Sequence, residues 1–270
     1  MGGIDVNGAV VMITGGQGGI GTALSAAFRA AGATVVSTDL AGQRADMELN
    51  VTDASATAAV MRRIVDEHGR LDVVVANAGI GVAGLADEID AAAWQRTIDV
   101  NIGGTVNTVC AAMPILRAGG GGSIVLISSL AGLAGTPLLT PYAMSKSAVI
   151  GLGESLRPEA ARHGIGVTVV CPGPVETALL DERAATDGVS VRRYLTAAAG
   201  QPIDASVLAD AVVSGVRHNR PLVLPGRAAL LWRINRLFPR IVRRTSASGM
   251  RKELRAAAAD HSDRAVDATN

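Results

Sequence analysis

Short runs of apolar residues recur along the chain, and longer segments with mixed apolar and polar positions separate them. Each run has the length of a strand, is rich in aliphatic residues, and is largely apolar instead of alternating regularly with polar positions. Continuous apolar runs of this kind indicate strands that are buried on both faces of a parallel sheet. The pattern predicts such strands at 9–13, 33–38, 71–76, 123–128 and 167–171, with 221–224 as a candidate last strand.

The segments between these runs have the length of helices. They cover residues 20–31, 54–68, 90–117 and 141–163. A repeated alternation of strand and helix is typical of an α/β fold, here a doubly wound, Rossmann-type parallel sheet between two layers of helices. We expect a single domain of this kind over residues 1–225, with ligands at the carboxyl ends of its strands. Residues 177–205 show no clear strand and are interpreted as a lid over the site.

The composition excludes several classes of function. The 270 residues carry 25 Lys and Arg against 24 Asp and Glu and only 2% aromatic residues, so we expect no nucleic-acid partner. Two cysteines, Cys110 and Cys171, and four histidines without ligand spacing predict neither a disulfide framework nor a metal site. The chain shows no signal-peptide pattern and no run of 18 apolar residues, so we expect a cytoplasmic protein.

A glycine-rich segment, TGGQGGIGTAL, occupies residues 14–24, directly after the first predicted strand. Glycines let the backbone turn sharply and approach a pyrophosphate closely, and the helix that begins near Ile20 offers free N–H groups to the anion. Two registers fit this segment: G-x-G-x-x-G on Gly16, Gly18 and Gly21, or T-G-x-x-x-G-x-G on Thr14, Gly15, Gly19 and Gly21. Either register predicts a loop that binds the phosphates of a dinucleotide.

Asp39 ends the second predicted strand, 18 residues after Gly21. A carboxylate at this point can accept hydrogen bonds from both hydroxyls of the adenosine ribose of NAD, and it repels the 2′-phosphate of NADP. The loop residues Gln17 and Gly18 offer no cation to that phosphate, and Arg44 is less well placed than Asp39. We therefore predict NAD as the cofactor in preference to NADP.

A second group of polar residues follows the predicted strand at 123–128. Ser129 comes directly after that strand, and Tyr142 and Lys146 are four residues apart, which places them on one face of the predicted helix. A free tyrosine has a pKa near 10 and is a poor base at neutral pH. A lysine cation and an oxidised nicotinamide nearby favour the tyrosinate. Lowering the pKa of the tyrosine by about three units requires roughly 4 kcal/mol of stabilisation of the tyrosinate relative to the phenol.

These motifs, in this order, resemble those of the short-chain dehydrogenase/reductase family over most of the chain. The matches are the second glycine register, Asn77-Ala78-Gly79, Asn101, Ser129, the Tyr142-x-x-x-Lys146 pair and Pro172-Gly173-Pro174-Val175-x-Thr177. The resemblance implies that Tyr142 is the general acid/base and that Ser129 positions the substrate oxygen. It further implies that Lys146 also holds the nicotinamide ribose and that Asn101 keeps a water in a proton relay beyond Lys146.

The resemblance also implies the remaining contacts of the cofactor. The phosphate-loop residues would be Thr14, Gly15, Gln17, Gly19, Ile20 and Gly21, with Ile20 beside the pyrophosphate. Asn50 and Val51 would lie by the adenine, Asn77, Ala78 and Gly79 on the ribose side, and Pro172, Gly173, Val175 and Thr177 by the nicotinamide. The chain departs from the family at two positions, because Asn50 stands where Asp is frequent and Ala76 where a first Asn is common.

Six leucines flank the catalytic motifs: Leu130, Leu133, Leu138, Leu139, Leu179 and Leu180. If these leucines line the pocket, the substrate is a secondary alcohol or ketone on a hydrophobic body, such as a steroid, terpenoid, acyl chain or polyketide. The alternative is that several of the leucines are core residues. We therefore expect NAD-dependent hydride transfer on such a substrate. The alternatives are an NADPH-dependent ketoreductase of the 3-oxoacyl reductase type and a dinucleotide-binding scaffold or sensor without turnover.

Residues 226–270 form a basic C-terminal extension. From Ala211 to Lys252 the chain has ten basic residues and no acidic one, and the apolar residues of 227–244 recur at helical spacing, with Pro239 expected to break or kink the helix. An amphipathic basic helix can lie on an anionic membrane, but packing on its own domain or on a neighbouring subunit is the favoured interpretation. Residues 256–270 are predicted to be a loose tail. The family resemblance implies a homo-oligomer, either a dimer or a tetramer.

Overall fold

A parallel sheet forms the centre of the protein. The structure is a computed structural model that describes residues 3–182 and 184–267, with side chains described as far as Ala259. Within these residues the sheet has seven strands: β1 (Val10–Thr14), β2 (Thr34–Asp39), β3 (Met47–Glu48), β4 (Val73–Ala76), β5 (Gly122–Ile127), β6 (Ile165–Val170) and β7 (Leu222–Val223). Their order is β3-β2-β1-β4-β5-β6-β7. The chain winds outward from β1 in one direction and then returns to β4 to wind in the other, which confirms the predicted doubly wound sheet.

Helices cover both faces of the sheet. They are α1 (Gly19–Ala30), α2 (Ala54–His68), α3 (Ala91–Ile98), α4 (Gly104–Ala118), α5 (Leu130–Leu133), α6 (Thr140–Ala161), α7 (Val191–Ala199), α8 (Ala205–Arg217), α9 (Ala228–Leu237) and α10 (Pro239–Asp267). Helices α1 and α8 pack side by side on one face, and α2, α4 and α6 cover the other. The two faces have separate apolar cores, so the fold is the three-layer sandwich that the sequence predicts.

The central strands are largely apolar because both of their faces are buried. In β1, Val10 and Met12 belong to the core beneath α2, α4 and α6, whereas Val11 and Ile13 belong to the core beneath α1 and α8. Each of these side chains is at least 95% buried, and burying one aliphatic side chain of this size contributes about 1.5–3 kcal/mol. This double burial explains why the strand sequences show no alternation of polar and apolar positions.

Three segments differ from the sequence-based predictions. The helix predicted at 90–117 is two helices, α3 and α4, joined by a π-helical turn at Asp99–Gly103. Strand β3 was not predicted, because a strand of two residues shows no periodicity. Helix α8 was not predicted either, because it follows the presumed lid without a clear break in the sequence. The loose tail predicted at 256–270 is wrong as far as Asp267, because α10 continues to that residue. Its alanines favour helix, and Ala257 is buried. Residues 268–270 lie outside the described residues.

The strand ends that matter for function meet at one edge of the sheet. The residues that follow β1, β2, β4, β5 and β6 lie at the carboxyl ends of neighbouring parallel strands. Helix α6 begins at the same edge, after the short helix α5, and α7, α9 and α10 follow it in the chain. Among the helices of the described residues, none is both long and apolar enough to cross a membrane.

Candidate active site

The glycine segment after β1 makes a tight turn into α1. Gly15 has φ +62°, and a Cβ on Gly21 would lie 2.1 Å from the carbonyl oxygen of Gly15. A Cβ on Gly19 would lie 2.8 Å from Cγ2 of Thr177, so this glycine also permits a close approach of two segments. The residue before α1, Gly18, has no side chain to cap the helix. The first N–H groups of α1 therefore face outward at the positive end of the helix dipole, which suits a phosphate.

Thr14 and Asn77 join the end of β1 to the end of β4. The Thr14 hydroxyl oxygen accepts hydrogen bonds from the backbone N–H groups of Asn77 and Ala78, each at 3.0 Å. The Asn77 side-chain amide donates to the carbonyl oxygens of Thr14 at 2.9 Å and Gly15 at 3.0 Å. These polar groups therefore act within the chain, where they fix the shape of the glycine loop. This arrangement uses the T-G-x-x-x-G-x-G register.

Asp39 lies beside the glycine loop, at the carboxyl end of β2. Its Oδ2 accepts from the backbone N–H of Gln17 at 2.9 Å, and its Oδ1 accepts from the N–H of Leu40 at 2.8 Å. The side chain is only partly buried, so both oxygens keep lone pairs for a ligand. The structure thus brings Asp39 next to the phosphate loop, as the spacing of 18 residues from Gly21 predicts.

Asn50 and Val51 follow β3, at the same edge of the sheet. Oδ1 of Asn50 accepts from the N–H of Thr52 at 3.1 Å and from its hydroxyl at 2.9 Å. Val51 is buried, and a Cβ on Gly104 would lie 2.5 Å from its Cγ2. Its carbonyl oxygen accepts from the side-chain amide of Asn107 at 2.9 Å. Asn50 is therefore the more accessible of the two predicted adenine contacts.

Ser129, Tyr142 and Lys146 line one cleft. Ser129 ends the stretch after β5 and caps α5, where its Oγ accepts from the N–H of Ala131 at 3.1 Å. Tyr142 lies in the first turn of α6, and Lys146 lies one turn later. The Lys146 Nζ donates to the carbonyl oxygen of Ile127 at 2.9 Å and is 5.6 Å from the centre of the Tyr142 ring. The cleft, of about 120 Å³, is also lined by Ile20, Asn77, Gly79, Pro172, Gly173, Val175 and Thr177.

Burial dominates the ionisation of this cluster. It raises the pKa of the Tyr142 phenol, and a hydrogen bond with Ser129 opposes the rise. It lowers the pKa of Lys146 to about 8, with the neighbouring Cys171 opposing the shift, and it raises the pKa of Cys171 to about 11. The chain alone therefore does not favour the tyrosinate. A further positive charge beside Tyr142 is needed to lower its pKa.

Asn101 is buried within the π-helical turn between α3 and α4. Its Oδ1 accepts from the N–H of Ile80 at 2.8 Å, and its Nδ2 donates to the carbonyl oxygen of Ile80 and to Oγ of Ser145, each at 2.9 Å. Ser145 in turn donates to the carbonyl oxygen of Tyr142 at 2.8 Å. The Asn101 side chain therefore joins the segment after β4 to the first turn of α6.

Ser145 is a residue that the sequence analysis missed. It lies between Tyr142 and Lys146, and its hydroxyl connects Asn101 to the backbone of the tyrosine. Its position three residues after Tyr142, on the same turn of the helix, is the signal that could have identified it. Gly79 adds a second constraint, because a Cβ there would lie 3.2 Å from Oδ1 of Asn101 and 3.3 Å from Nζ of Lys146.

A second cavity, of about 90 Å³, lies on the other side of Tyr142. Three of the six leucines line it, namely Leu139, Leu179 and Leu180, together with Val82, Val191 and Glu182. Leu138, Leu139 and Leu180 are buried in one core cluster, and Leu133 packs against another. The space beside Tyr142 is therefore largely apolar. The alternative that several leucines belong to the core holds for four of them, of which Leu139 and Leu180 also line this cavity.

The arginines of the lid are engaged by carboxylates. Arg192 forms ion pairs with Glu176 at 2.6 Å and with Asp181 at 2.7 Å. Arg193 pairs with Glu253 of α10 at 2.8 Å. Arg183 lies outside the described residues. Neither Arg192 nor Arg193 is thus free to hold an acidic group of a substrate in this structure.

Comparisons with known proteins identify the family to which the chain belongs. The family model described as short chain dehydrogenase matches residues 9–188. The probable oxidoreductase EphD of Mycobacterium tuberculosis is 33% identical over 264 residues, which cover 88% of this chain and 44% of EphD. The 3-oxoacyl-[acyl-carrier-protein] reductase FabG of Thermotoga maritima is 34% identical over 192 residues, covering 66% of this chain and 78% of FabG.

A solved structure gives the same result for the fold. A short-chain dehydrogenase/reductase from Burkholderia phymatum, in complex with NAD, superposes with a TM-score of 0.77 at 24% identity, covering 88% of this chain and 96% of the other. The fold and the site define a doubly wound sheet whose carboxyl edge carries a glycine loop and the cleft of Ser129, Tyr142 and Lys146. The chain belongs to the short-chain dehydrogenase family. It spans less than half the length of EphD.

Proposed function

We propose that the protein transfers a hydride between NAD and the carbonyl or secondary-alcohol carbon of a hydrophobic substrate. The observation that carries this proposal is the meeting of Ser129, Tyr142 and Lys146 in one cleft that also reaches Ile20 and Thr177 beside the glycine loop. A hydroxyl, a phenol and an ammonium group in one place can hold an oxygen atom and move a proton to or from it.

The residues present fit a dinucleotide. The glycine loop leaves no room for a Cβ on Gly21, and the uncapped start of α1 suits a pyrophosphate. Asp39 would hold the adenosine ribose, and Asn50 and Val51 would lie by the adenine. The nicotinamide half would contact Asn77, Ala78, Gly79, Tyr142, Lys146, Pro172, Gly173, Val175 and Thr177. When bound, the nicotinamide ring supplies or accepts the hydride.

Tyr142 handles the proton. In alcohol oxidation the hydroxyl proton of the substrate moves to the phenolate oxygen of Tyr142, while the C–H bond breaks and its electron pair leaves with the hydride. In carbonyl reduction the phenol returns the proton to the substrate oxygen. Ser129 donates a hydrogen bond to that oxygen. Lys146, with a pKa of about 8, is a cation at neutral pH, which stabilises the phenolate and connects it to the relay that we assign to Asn101.

A second candidate function is that of an NADPH-dependent ketoreductase. The similarity to the 3-oxoacyl-[acyl-carrier-protein] reductase of Thermotoga maritima favours it. Asp39 opposes it, because its carboxylate lies at the loop where a 2′-phosphate would be placed, with no lysine or arginine among Gln17, Gly18 and Leu40 to balance that charge. A cofactor-binding sensor without turnover would not need Ser129, Tyr142 and Lys146 in one cleft.

We further propose that the protein is a homo-oligomer that associates through α4 and α6. Val106 on α4 and Met144 on α6 are both about 40% exposed, which leaves apolar surface on these two helices. A Val106→Glu variant should have a smaller mass than the wild type by size-exclusion chromatography with light scattering. A monomeric wild type would contradict this proposal.

The test of the proposed reaction is Tyr142→Phe. The variant lacks only the phenolic oxygen, so turnover of apolar alcohols and ketones should fall by about a thousandfold or more, while the Kd for NAD stays within about threefold of the wild-type value. Turnover is followed by the absorbance of reduced nicotinamide, and Kd by titration calorimetry. If the variant keeps wild-type turnover, or if only cofactor binding is lost, the proposed role of Tyr142 is wrong.

A further inference from the structure

A third and larger cavity, of about 390 Å³, lies on the side of Ser129 that faces the C-terminal helices. Its walls come from the segment 129–136, from α7, and from α9 and α10. We call it the C-terminal chamber. Its volume lies within the range of about 300–1,000 Å³ that is typical of small-molecule sites. The family core alone does not enclose it, because two of its walls belong to the extension after β7.

The C-terminal chamber adjoins the catalytic cleft. Ser129, Gly173 and Pro174 line both spaces. The body of a substrate whose oxygen lies at Ser129 and Tyr142 could therefore extend toward the chamber.

The lining of the chamber is apolar and carries no charge. Leucine, isoleucine, valine and alanine side chains dominate it, among them Leu130, Leu195, Leu231 and Val242. The polar contributions come from hydroxyl and amide groups such as those of Thr136 and Asn235, and among the described lining residues there is no Asp, Glu, Lys or Arg. Such a space favours a hydrocarbon body and disfavours an acidic or phosphorylated one.

The extension is fastened to the catalytic domain at both ends of the chamber. Asn235 of α9 donates to the carbonyl oxygen of Leu133 at 3.1 Å. Glu253 of α10, only 4% exposed, accepts from the N–H of Ser190 at 2.8 Å and from the guanidinium group of Arg193. A buried carboxylate with three such donors holds α10 against the lid. The chamber is therefore a built part of the fold.

We propose that the C-terminal chamber binds the apolar body of the substrate, so that the enzyme acts on ketones or secondary alcohols attached to a long or bulky hydrocarbon. This inference rests on the proposed function and adds the substrate class to it. A short substrate would leave the chamber unfilled and bind weakly, since each buried methylene contributes about a fourfold gain in affinity.

The test is a series of 2-alkanones of about four to fourteen carbons. Their Kd values are measured by titration calorimetry on the full chain with NAD, in three proteins: wild type, Ala198→Trp in the chamber wall, and Ala59→Trp on the exposed face of α2 as the matched control. We expect affinity to rise about fourfold per methylene over the longer members in wild type and control. In Ala198→Trp the affinity should rise only among the short 2-alkanones and should not rise further for the longer ones.

Two other outcomes are informative in different ways. A Kd that does not change with chain length, or the same gain in Ala198→Trp as in wild type, overturns the chamber proposal even if the ketones are reduced. Conversely, affinity that rises with chain length in wild type and in Tyr142→Phe supports the chamber. If neither protein reduces the same ketones in a parallel assay with NADH, the proposed reaction is overturned. Binding and turnover thus separate the two proposals.

A separate observation concerns the surface at the junction of α9 and α10. Leu230, Leu237, Phe238 and Ile241 are more than half exposed there, and Ile241 also lines the chamber. Five exposed arginines belong to the same stretch: Arg233, Arg236, Arg240, Arg243 and Arg244. The chain has no acidic residue from Ala211 to Lys252, so a second copy meeting this surface about a twofold axis would bring arginines together. The combination of exposed apolar side chains and arginines suits an anionic lipid surface.

We propose that this junction binds the surface of anionic membranes. The full chain is sedimented with vesicles of phosphatidylcholine alone or with phosphatidylglycerol, at moderate salt. We expect binding only to the anionic vesicles, a loss of about tenfold or more in Leu237→Glu, and no loss in Val207→Glu, whose residue is exposed on α8. No binding to anionic vesicles, equal binding by both variants, or a dimer that Leu237→Glu dissociates would overturn this proposal.

Discussion

Replacing Asp39 by Asn removes one negative charge from the phosphate loop with almost no change in shape. In the wild type, Oδ2 of Asp39 accepts from the N–H of Gln17 at 2.9 Å and Oδ1 accepts from the N–H of Leu40 at 2.8 Å. Asparagine keeps one of these acceptors and loses the charge. The variant therefore isolates the electrostatic contribution of the side chain to the choice between NAD and NADP.

The size of the effect follows from the position of the carboxylate. Two unit charges 4 Å apart repel by about 4 kcal/mol at an effective dielectric constant of 20. Because Asp39 is partly exposed, we expect its carboxylate to repel the 2′-phosphate of NADPH by about 2 kcal/mol. This energy corresponds to about a 30-fold change in the Kd for NADPH. The weaker hydrogen bond to the ribose of NADH costs about 1 kcal/mol, or about fivefold. The ratio of the two Kd values should change by about 100-fold in favour of NADPH.

The assay is a titration of nicotinamide fluorescence with NADH and NADPH at constant ionic strength. The matched control is Asp46→Asn, because Asp46 is another carboxylate near β2, bound to the N–H and hydroxyl of Ser37 instead of to the glycine loop. In Asp46→Asn the ratio of the Kd values for NADH and NADPH should change by less than about threefold. A change of that small size in Asp39→Asn, or an equal change in both variants, would refute the assignment of Asp39 as the ribose contact.

Three further predictions concern the structure around the site. Burial lowers the pKa of Lys146 from 10.5 to about 8, so between these pH values the unfolded chain binds the proton more tightly than the folded chain. The free energy of unfolding of the wild type, relative to that of Lys146→Met, should therefore rise by about 3 kcal/mol from pH 8 to 10.5 in urea titrations. A difference between the two proteins that stays constant with pH would contradict this. Asn101→Ala leaves the backbone of Ile80 unpaired and should lower the free energy of unfolding by about 2–3 kcal/mol in the same assay, with no loss at all as the contrary result. Glu253→Ala removes the carboxylate that pairs with Arg193 and should accelerate hydrogen exchange in α7. Glu67→Ala, which breaks an exposed pair on α2, should leave α7 unchanged.

Much of the fold can be predicted from the sequence because buried parallel strands have a distinctive composition. The run at 9–13 is apolar at every position, the run at 123–128 is apolar between Ser123 and Ser128, and the structure places them as the strands β1 and β5, in the middle of the sheet. Strand β3, with two residues, is too short to show any pattern. The π-helical turn at Asp99–Gly103 has no signature either, since it depends on Asn101 bonding to Ile80 across the fold.

The site was partly predictable for a similar reason. Asp39, Ser129 and Asn77 each follow a buried strand, so parallel strands bring them to one edge. The spacing of Tyr142 and Lys146 places both on one helix face. The C-terminal chamber could not be predicted, because its walls come from segments as distant as Leu130 and Val242. Its existence depends on how α9 and α10 pack, which no local pattern encodes.

The most direct test of the central claim is the transfer of deuterium from the cofactor to a carbon atom of the substrate. The wild-type enzyme is incubated with NADH that carries deuterium at both C4 positions and with a panel of apolar ketones, and the alcohols are analysed by mass spectrometry. We predict deuterium on the carbinol carbon in the wild type and none in Tyr142→Phe, although both proteins bind NADH. If the wild type binds NADH and the longer ketones but transfers no deuterium, the proposed reaction is contradicted.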